Sequence, residues 1–474
     1  VSEHGPHGLV AALKTIVGDD GVLVETHDIQ PFRGDIGLTA ADTDLIVVRP
    51  RSTDALSAIV KVCGMHGVAI TPRGGGSGFC GGAVPSATGL NVVVSFERMR
   101  RIRAVDTVND VLVVEAGCTL HDAQEAAKSA GRLLGVDHGG AGSSQIGGNL
   151  GTNAGGNNVL RYGMARDQVL GLEVVLADGS VISRLSPLRK SNVGYDLKQM
   201  FLGSEGTLGL ITAATLRLRP APVKRATACL AVESPEQALR FLDQGKLAFG
   251  ESISAFELMS GAAVALHMKH AREDAWPGGE AVPWLILLEA DSASSYFDLD
   301  AALTDLLDRT FESGLVKGGT VASSEAQRFK FWRIREGIAS AMVATPGCLK
   351  SDTAVPISQI PQFIFDAGAA VKTLAPGCVP APFGHLGDGN IHFNVLPPMG
   401  EPPELFQSKW KLIQAAIATV SLSLDGTVSA EHGIGLTKKA AMAEMMGPVE
   451  MHLMRSLKRA WDPYDTLNQG KLFE

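Results

Sequence analysis

The chain has 474 residues, 45% hydrophobic and 19% charged, a balance that excludes a disordered polypeptide. At roughly 100–200 residues per domain, two to four domains are expected. A formal net charge of −8 excludes a general nucleic-acid binder, which needs a basic face to neutralise phosphates.

Taken in chain order, residues 53–66 (TDALSAIVKVCGMH) carry helical periodicity, with Gly67 as a stop. Strand-like runs follow at 68–72, 90–96 and 110–116. Thr119 with Asp122 reads as the cap of a helix over 120–130. Residues 169–184 read as a hairpin turning at Asp178-Gly179. This α+β region closes at RPAPVKR (219–225). Beyond it come a strand (226–232), a helix (235–246), strands at 253–258 and 284–290, and a helix (297–313), the order that opens a ferredoxin-like unit. Residues 324–345 read as helix, 385–395 as a strand pair, and 431–474 as mostly helix. The expected division is a domain over 1–220, a second over 221–430, and a C-terminal segment over 431–474 closing on the active site.

No fixed-period repeat or low-complexity segment interrupts this order. Cys63, Cys80, Cys118, Cys229, Cys348 and Cys378 are widely spaced, with no Cys-x-x-Cys pair, so reduced and mostly buried thiols are expected. The most apolar run, LIQAAIATVSLSL (412–424), is too short and polar to span a bilayer. The first residues lack the basic and apolar regions of a secretory signal. A cytoplasmic protein is expected, or a mitochondrial-matrix one if a presequence has been removed.

Glycine is over-represented, at 54 residues, and it clusters. RGGGSGFCGG (73–82) contains Gly76-x-Gly78-x-x-Gly81, but the following AVPSATG cannot open the helix that a dinucleotide fingerprint requires. A second stretch, GGAGSSQIGGNLGTNAGG, fills 139–156. Successive backbone N–H groups in such loops form anion-binding concavities, and missing Cβ atoms let a ligand approach the backbone. Two loops of this density point to a long cofactor bearing a diphosphate.

RGGGSG (73–78), QIGGNLGTNAGG (145–156), RYG (161–163), GLEVVLADG (171–179) and NVGYDLKQMFLGSEGTLGLIT (192–212) resemble the flavin-binding segments of the vanillyl-alcohol-oxidase-type family. They are most similar to its D-2-hydroxyacid dehydrogenase branch. The resemblance implies an α+β fold: a two-subdomain FAD-binding domain, a ferredoxin-like cap domain and a helical C-terminal segment. It implies that Pro72, Arg73, Gly74, Gly75, Gly76, Ser77 and Gly78 wrap the pyrophosphate. Gln145, Gly147, Gly148, Asn149, Thr152, Asn153, Gly155 and Gly156 would line the adenosine and flavin ends, with Glu205, Gly206, Ile211 and Asn468. Some members tether the flavin to a His in the first loop. Here that stretch is Gly76-Ser77-Gly78-Phe79, with Cys80 next, so the FAD is expected to be non-covalent.

GHLGDGNIHFN (384–394) has strong turn chemistry at Gly387-Asp388-Gly389-Asn390. A hairpin there would set Leu386 opposite Ile391 and His385 opposite His392, close enough for two imidazoles to share a divalent metal. Asn394 would share the face of His392. EHGIG (431–435) offers Glu431 as a third ligand, beside His432. The residues alone leave a hydrogen-bonded His pair as the alternative. The resemblance implies zinc at His385, His392 and Glu431. His4, His7, His27, His66, His121, His267, His270 and His452 read as surface or core residues, and His138, just before the second loop, is unassigned.

The resemblance to D-2-hydroxyglutarate dehydrogenases singles out Arg335 and Lys350 as readers of a substrate's distal carboxylate. The hydroxyl residue four positions after the Arg in that subfamily is Ala339 here, with Ser340 adjacent. The expected activity is oxidation of a D-2-hydroxyacid, best D-2-hydroxyglutarate to 2-oxoglutarate. A metal would assist hydroxyl deprotonation, and hydride would pass to FAD N5. Asn394 would contact the C1 carboxylate or hydroxyl, and His432 would bind substrate and accept the proton. A D-lactate or glycolate dehydrogenase, a flavin-free His/His/Glu metal hydrolase and a non-catalytic nucleotide-binding module are the rival readings; flavin absorbance separates the last two from the rest. An electron-transfer flavoprotein is the acceptor towards which the resemblance leans, and a homodimer is open.

Overall fold

The helix Thr53–His66 starts where the Ser52 hydroxyl accepts the Ala55 N–H at 3.1 Å, and ends at Gly67 as expected. It belongs to a computed structural model that describes residues 6–40, 43–271, 276, 278 and 281–473; His4 lies outside the described residues. The chain forms two units. Unit 1 comprises Val1–Gly156, Gly163–Ala221 and Glu431–Glu474, and unit 2 comprises Asn157–Tyr162 and Pro222–Ala430.

Unit 1 holds two sheets. The first consists of β1 (Val22–Leu23), β2 (Leu45–Val48), β3 (Ala69–Arg73) and β4 (Asn91–Ser95), in the order β1-β2-β4-β3. β4 runs parallel to both β2 and β3, and the central β2 and β4 are buried at every position. That is why LIVV and NVVVS are nearly unbroken apolar runs: parallel strands are covered on both faces. Ile46, Val48, Val92 and Val94 pack on Leu56, Ile59 and Val60 of the helix, while Leu45, Val47 and Val93 face Ile29. On the outer side of β3, Ile70 N–H donates to the Thr466 carbonyl and Asn468 N–H to the Ile70 carbonyl, both at 2.7 Å.

The second sheet contains β5 (Ile102–Asp106), β6 (Val111–Glu115), β7 (Arg132–Leu134), β8 (Val169–Val175), β9 (Val181–Arg184) and β10 (Leu210–Pro220). Its order is β5-β6-β10-β8-β9, with β7 pairing the end of β10. The hairpin expected around Asp178-Gly179 is β8–β9. Thr119 accepts the Asp122 N–H and opens the helix Leu120–Ser129, whose Leu120, Ala123 and Ala127 pack on Leu112, Val114 and Leu216. Both glycine loops lie in this unit.

Unit 2 is built on one seven-stranded antiparallel sheet: β11 (Lys224–Val232), β12 (Ile253–Ser260), β13 (Trp284–Ser292), β14 (Gly318–Val321), β15 (Thr353–Ala354), β16 (Val379–Gly384) and β17 (Asn390–Leu396). The order is β14-β11-β13-β12-β16-β17-β15. The first four strands have the ferredoxin-like arrangement, as expected, and β16, β17 and β15 extend it. Side chains alternate across β13: Ile286 and Leu288 face the helices Pro235–Phe249 and Leu299–Glu312, whereas Leu285 and Leu287 face Gly261–His270 and Glu325–Ala344. The run 412–424 falls largely in the helix Trp410–Ser423. Among the described residues no helix is long and apolar enough to cross a membrane. All six cysteines are buried, and none is in a disulfide.

Residues 431–474, in unit 1, contain the helix Lys439–Trp461, broken at Gly447-Pro448.

Candidate functional site

Within unit 1 the two glycine loops touch. A Cβ on Gly75 would lie 1.8 Å from the Ser143 carbonyl oxygen, so this crossing admits only glycine. Gln145 lies beside the first loop, its Oε1 3.7 Å from where a Gly74 Cβ would be. That oxygen is buried and has no hydrogen-bond partner among the described residues. At the other end, Asn468 donates its amide to the carbonyls of Gly82 (3.0 Å) and Glu205 (2.6 Å), and its Oδ1 is buried without a donor among the described residues. Two orphaned acceptors along two Gly loops call for a ligand carrying hydrogen-bond donors. Asn153, Glu205 and Asn468 also have φ of 53°, 51° and 46°, a left-handed conformation uncommon for non-glycine residues. The cradle fits an extended flavin nucleotide.

Other side chains are already engaged. Arg73 donates to the carbonyls of Pro31 (2.7 Å) and Gly34, so it braces the first loop rather than presenting its guanidinium to a phosphate. Asp35, not foreseen from the sequence, accepts the N–H groups of Gly37, Leu38 and Gly81 and fixes the same loop. His138 accepts the Gly140 N–H on Nδ1, which puts the ring proton on Nε2, facing Asn149 Oδ1 at 3.3 Å. It acts as a staple inside the second loop; burial lowers its pKa. Thr152 bonds back to the Gly148 carbonyl, and Asn153 accepts the Arg166 N–H.

The 431–436 loop is held to this cradle within the same unit. Glu205 Oε1 accepts the Ile434 N–H at 2.7 Å, and Oε2 accepts the Gly435 N–H at 2.9 Å. Leu436 N–H donates to the Cys80 carbonyl at 2.7 Å. The rings of His432 and Phe79 lie 4.9 Å apart, and Glu431 sits against Gly155. Burial raises the Glu205 pKa against the pull of the two N–H groups and of Lys471. Burial in turn brings Lys471 down to about 8.

Unit 2 carries the histidine pair, but not by the expected register. Phe383, not His385, stands opposite His392. Gly384 has φ 148°, and a five-residue turn follows in which the N–H groups of Asp388 and Gly389 both donate to the His385 carbonyl at 3.2 Å. This takes His385 and Leu386 out of the ladder; Leu386 drops into the core instead of facing Ile391. The rings of His385 and His392 still lie 5.6 Å apart, at 76°.

A residue the sequence reading missed holds His385. Glu257, on β12, accepts from His385 Nδ1 at 2.6 Å and from Arg335 Nε at 2.6 Å. Arg335 Nη2 lies 3.1 Å from His385 Nε2. Arginine can only donate, so His385 is neutral with its proton on Nδ1. Burial raises the Glu257 pKa, but the Arg335 charge and the hydrogen bonds from Arg335 and His385 outweigh it and hold the carboxyl at about 2. Burial pushes nearby Asp388 up to about 6. Arg335 comes from the helix Glu325–Ala344 and is buried over the Phe383 ring, 5.1 Å from its centroid. Lys350 is exposed. Asn394 is buried, and its Oδ1 accepts the Ser351 N–H at 3.0 Å. Glu257 carried no sequence signal because AFELMS reads as an ordinary buried strand with one polar interruption.

Residues 221–472 match the C-terminal domain of FAD-linked oxidases, and residues 45–184 match the FAD-binding domain. The chain belongs to the FAD-linked oxidases. It is 35% identical to the mitochondrial D-2-hydroxyglutarate dehydrogenase of Bos taurus, over 98% of this chain and 83% of that relative. It is 34% identical to the D-2-hydroxyglutarate dehydrogenase of Stutzerimonas stutzeri (strain A1501), over 98% of each. Its D-2-hydroxyacid dehydrogenase branch is the one its motifs resemble. In fold it is similar to p-cresol methylhydroxylase with substrate bound, at TM-score 0.79 and 17% identity, covering 100% of this chain and 97% of that one. This FAD-linked oxidase thus has the vanillyl-alcohol-oxidase-type fold.

Proposed function

We infer that this FAD-linked oxidase oxidises a D-2-hydroxyacid, best D-2-hydroxyglutarate, to the 2-oxoacid. Its FAD is held non-covalently. The observation that carries the reading is the His385–Glu257–Arg335 triad beside His392. It joins an oriented imidazole to a buried guanidinium.

FAD, when bound, supplies the acceptor for the hydride leaving C2. A divalent metal, best zinc, would polarise the hydroxyl; His385 and His392 of unit 2 would hold it, with Glu431 proposed from the sequence as the third ligand. Glu257 fixes His385 as the Nδ1–H tautomer, so Nε2 carries the lone pair that ligation needs, the carboxylate–histidine arrangement of metal sites. On ligation Arg335 would give up its contact with Nε2. Its Nε stays on Glu257, and its two terminal nitrogens offer a fork to a carboxylate. Lys350 adds a point charge for the distal carboxylate. Asn394 contacts the C1 carboxylate through its amide N–H, because its oxygen is engaged by Ser351. His432 takes the hydroxyl proton, since ligation would occupy the other histidines and Glu431.

Ala339 lies one turn beyond Arg335 and brings no hydroxyl, which bears on chain-length preference among dicarboxylic substrates. The electron acceptor we propose is an electron-transfer flavoprotein. A dye-coupled screen of D- and L-2-hydroxyacids tests the reading: D-2-hydroxyglutarate should lead the D-series, and activity confined to L-substrates would overturn it.

A further inference from the structure

We propose that Glu205 is a positioning residue that holds the loop carrying His432, and not a contact of the cofactor. This rests on the reading of His432 as proton acceptor.

Glu205 is fixed by its own backbone. Its N–H donates to the Gly151 carbonyl at 2.8 Å, and its carbonyl accepts the Asn468 amide at 2.6 Å. Both carboxylate oxygens are then taken by the backbone N–H groups of Ile434 and Gly435, two and three residues past His432. Hydrogen bonds to an ionised acceptor are stronger than neutral ones, and this pair sets the chain direction just beyond the imidazole. The loop wraps the carboxylate at contact distance: Gly433 has φ 74°, and a Cβ there would lie 2.8 Å from Oε1. From the other side, the Phe79 ring lies 4.9 Å from that of His432. Both oxygens are engaged by backbone N–H groups of the loop, and the residue is 7% exposed. Misplacing a reacting group by about 1 Å can cost roughly 10²-fold in rate.

The test is a double-mutant cycle on the FAD-loaded protein, with flavin reduction by D-2-hydroxyglutarate followed in stopped flow and flavin content by absorbance. Glu205→Gln keeps one acceptor and turns an NH2 towards an N–H. It should retain full FAD and leave substrate Kd within about twofold, while the limiting reduction rate falls at least about 10-fold. His432→Ala should lose about 10²-fold. The double variant should match His432→Ala, because a residue that acts through His432 has nothing left to position. If Glu205→Gln does not fold, Gly433→Ala replaces it in the cycle, displacing the loop with the carboxylate intact. Losses that multiply in the double variant would overturn the proposal, as would loss of FAD from Glu205→Gln. A wild-type rate in His432→Ala would instead remove the proton-acceptor reading, and the positioning role with it.

Discussion

Glu257 places a full negative charge in the interior of unit 2, offset by the Arg335 guanidinium and by the hydrogen bond from His385. Removing one member of a buried ion pair strands the other and typically costs 3–5 kcal/mol, far more than a surface pair. Glu257→Gln should lower unfolding free energy by about that amount in urea denaturation. It should also weaken divalent-metal binding about 10–100-fold, as loss of a ligand's carboxylate partner does; unchanged metal content on dialysis would show that Glu257 serves stability alone. Lys471 makes a separate pH prediction. Its folded pKa of about 8 lies below the ~10.4 of a free lysine, so the folded state sheds its proton first. Between those values the unfolded chain binds more protons, and stability from this group rises with pH. Wild type should therefore gain on Lys471→Met by about 1–2 kcal/mol between pH 8 and pH 10, measured by urea melts at each pH. Cys63 and Cys229 are inert for a similar reason: burial pushes both thiols up to about 12.

The β16–β17 hairpin shows what can be read from sequence and what cannot. That a turn falls close to 387–390, and that it brings the two histidines near each other, was legible, because Gly, Asp and Asn mark turns for local reasons, although Asn390 already belongs to β17. The register was not. It depends on Gly384 leaving the ladder early, and a one- or two-residue choice of that kind is decided by tertiary packing. The glycine loops were legible for the same local reason, whereas the Glu205 clamp joins residues 229 and 230 positions apart and leaves no pattern in either segment. Arg73 stood out beside the glycines, but its partners at 31 and 34 could only be seen in the fold. A prediction belongs to the hairpin. In Gly384→Ala a Cβ would sit 2.7 Å from the Asn390 carbonyl at an unfavourable φ, so the turn must shift and His385 with it. Divalent metal should be lost while FAD, held in unit 1, stays at full stoichiometry, as elemental analysis and absorbance would show. Retention of both would mean that the turn tolerates the displacement.

Across the whole molecule, substrate selection should separate from cofactor retention. Lys350 is exposed and belongs to unit 2, so Lys350→Ala should leave FAD content and folding unchanged. Losing a charged hydrogen bond to a carboxylate costs about 1.5–3 kcal/mol, and the loss should fall on D-2-hydroxyglutarate while D-lactate, with no distal carboxylate, is spared. Equal loss in kcat/KM for both would remove Lys350 from the specificity argument.

The pairing of Thr466 and Asn468 with β3 has a consequence for how the protein is made. β3 and the glycine loop that follows it leave the ribosome early, but the strand segment that seals β3 is encoded after the whole of unit 2. About 210 residues of unit 2 separate the second and third segments of unit 1. At about 5–20 residues per second, the 245 residues from 222 to 466 take roughly 12–50 s, and the nascent first half waits that long for its closing segment. Throughout that interval the Ile70 edge is an open template for pairing with another chain. Synthesis speed across 222–430, more than the final stability of the native state, should then govern how much of the newborn polypeptide reaches a flavin-competent form and how much is diverted to chaperones or inclusion bodies.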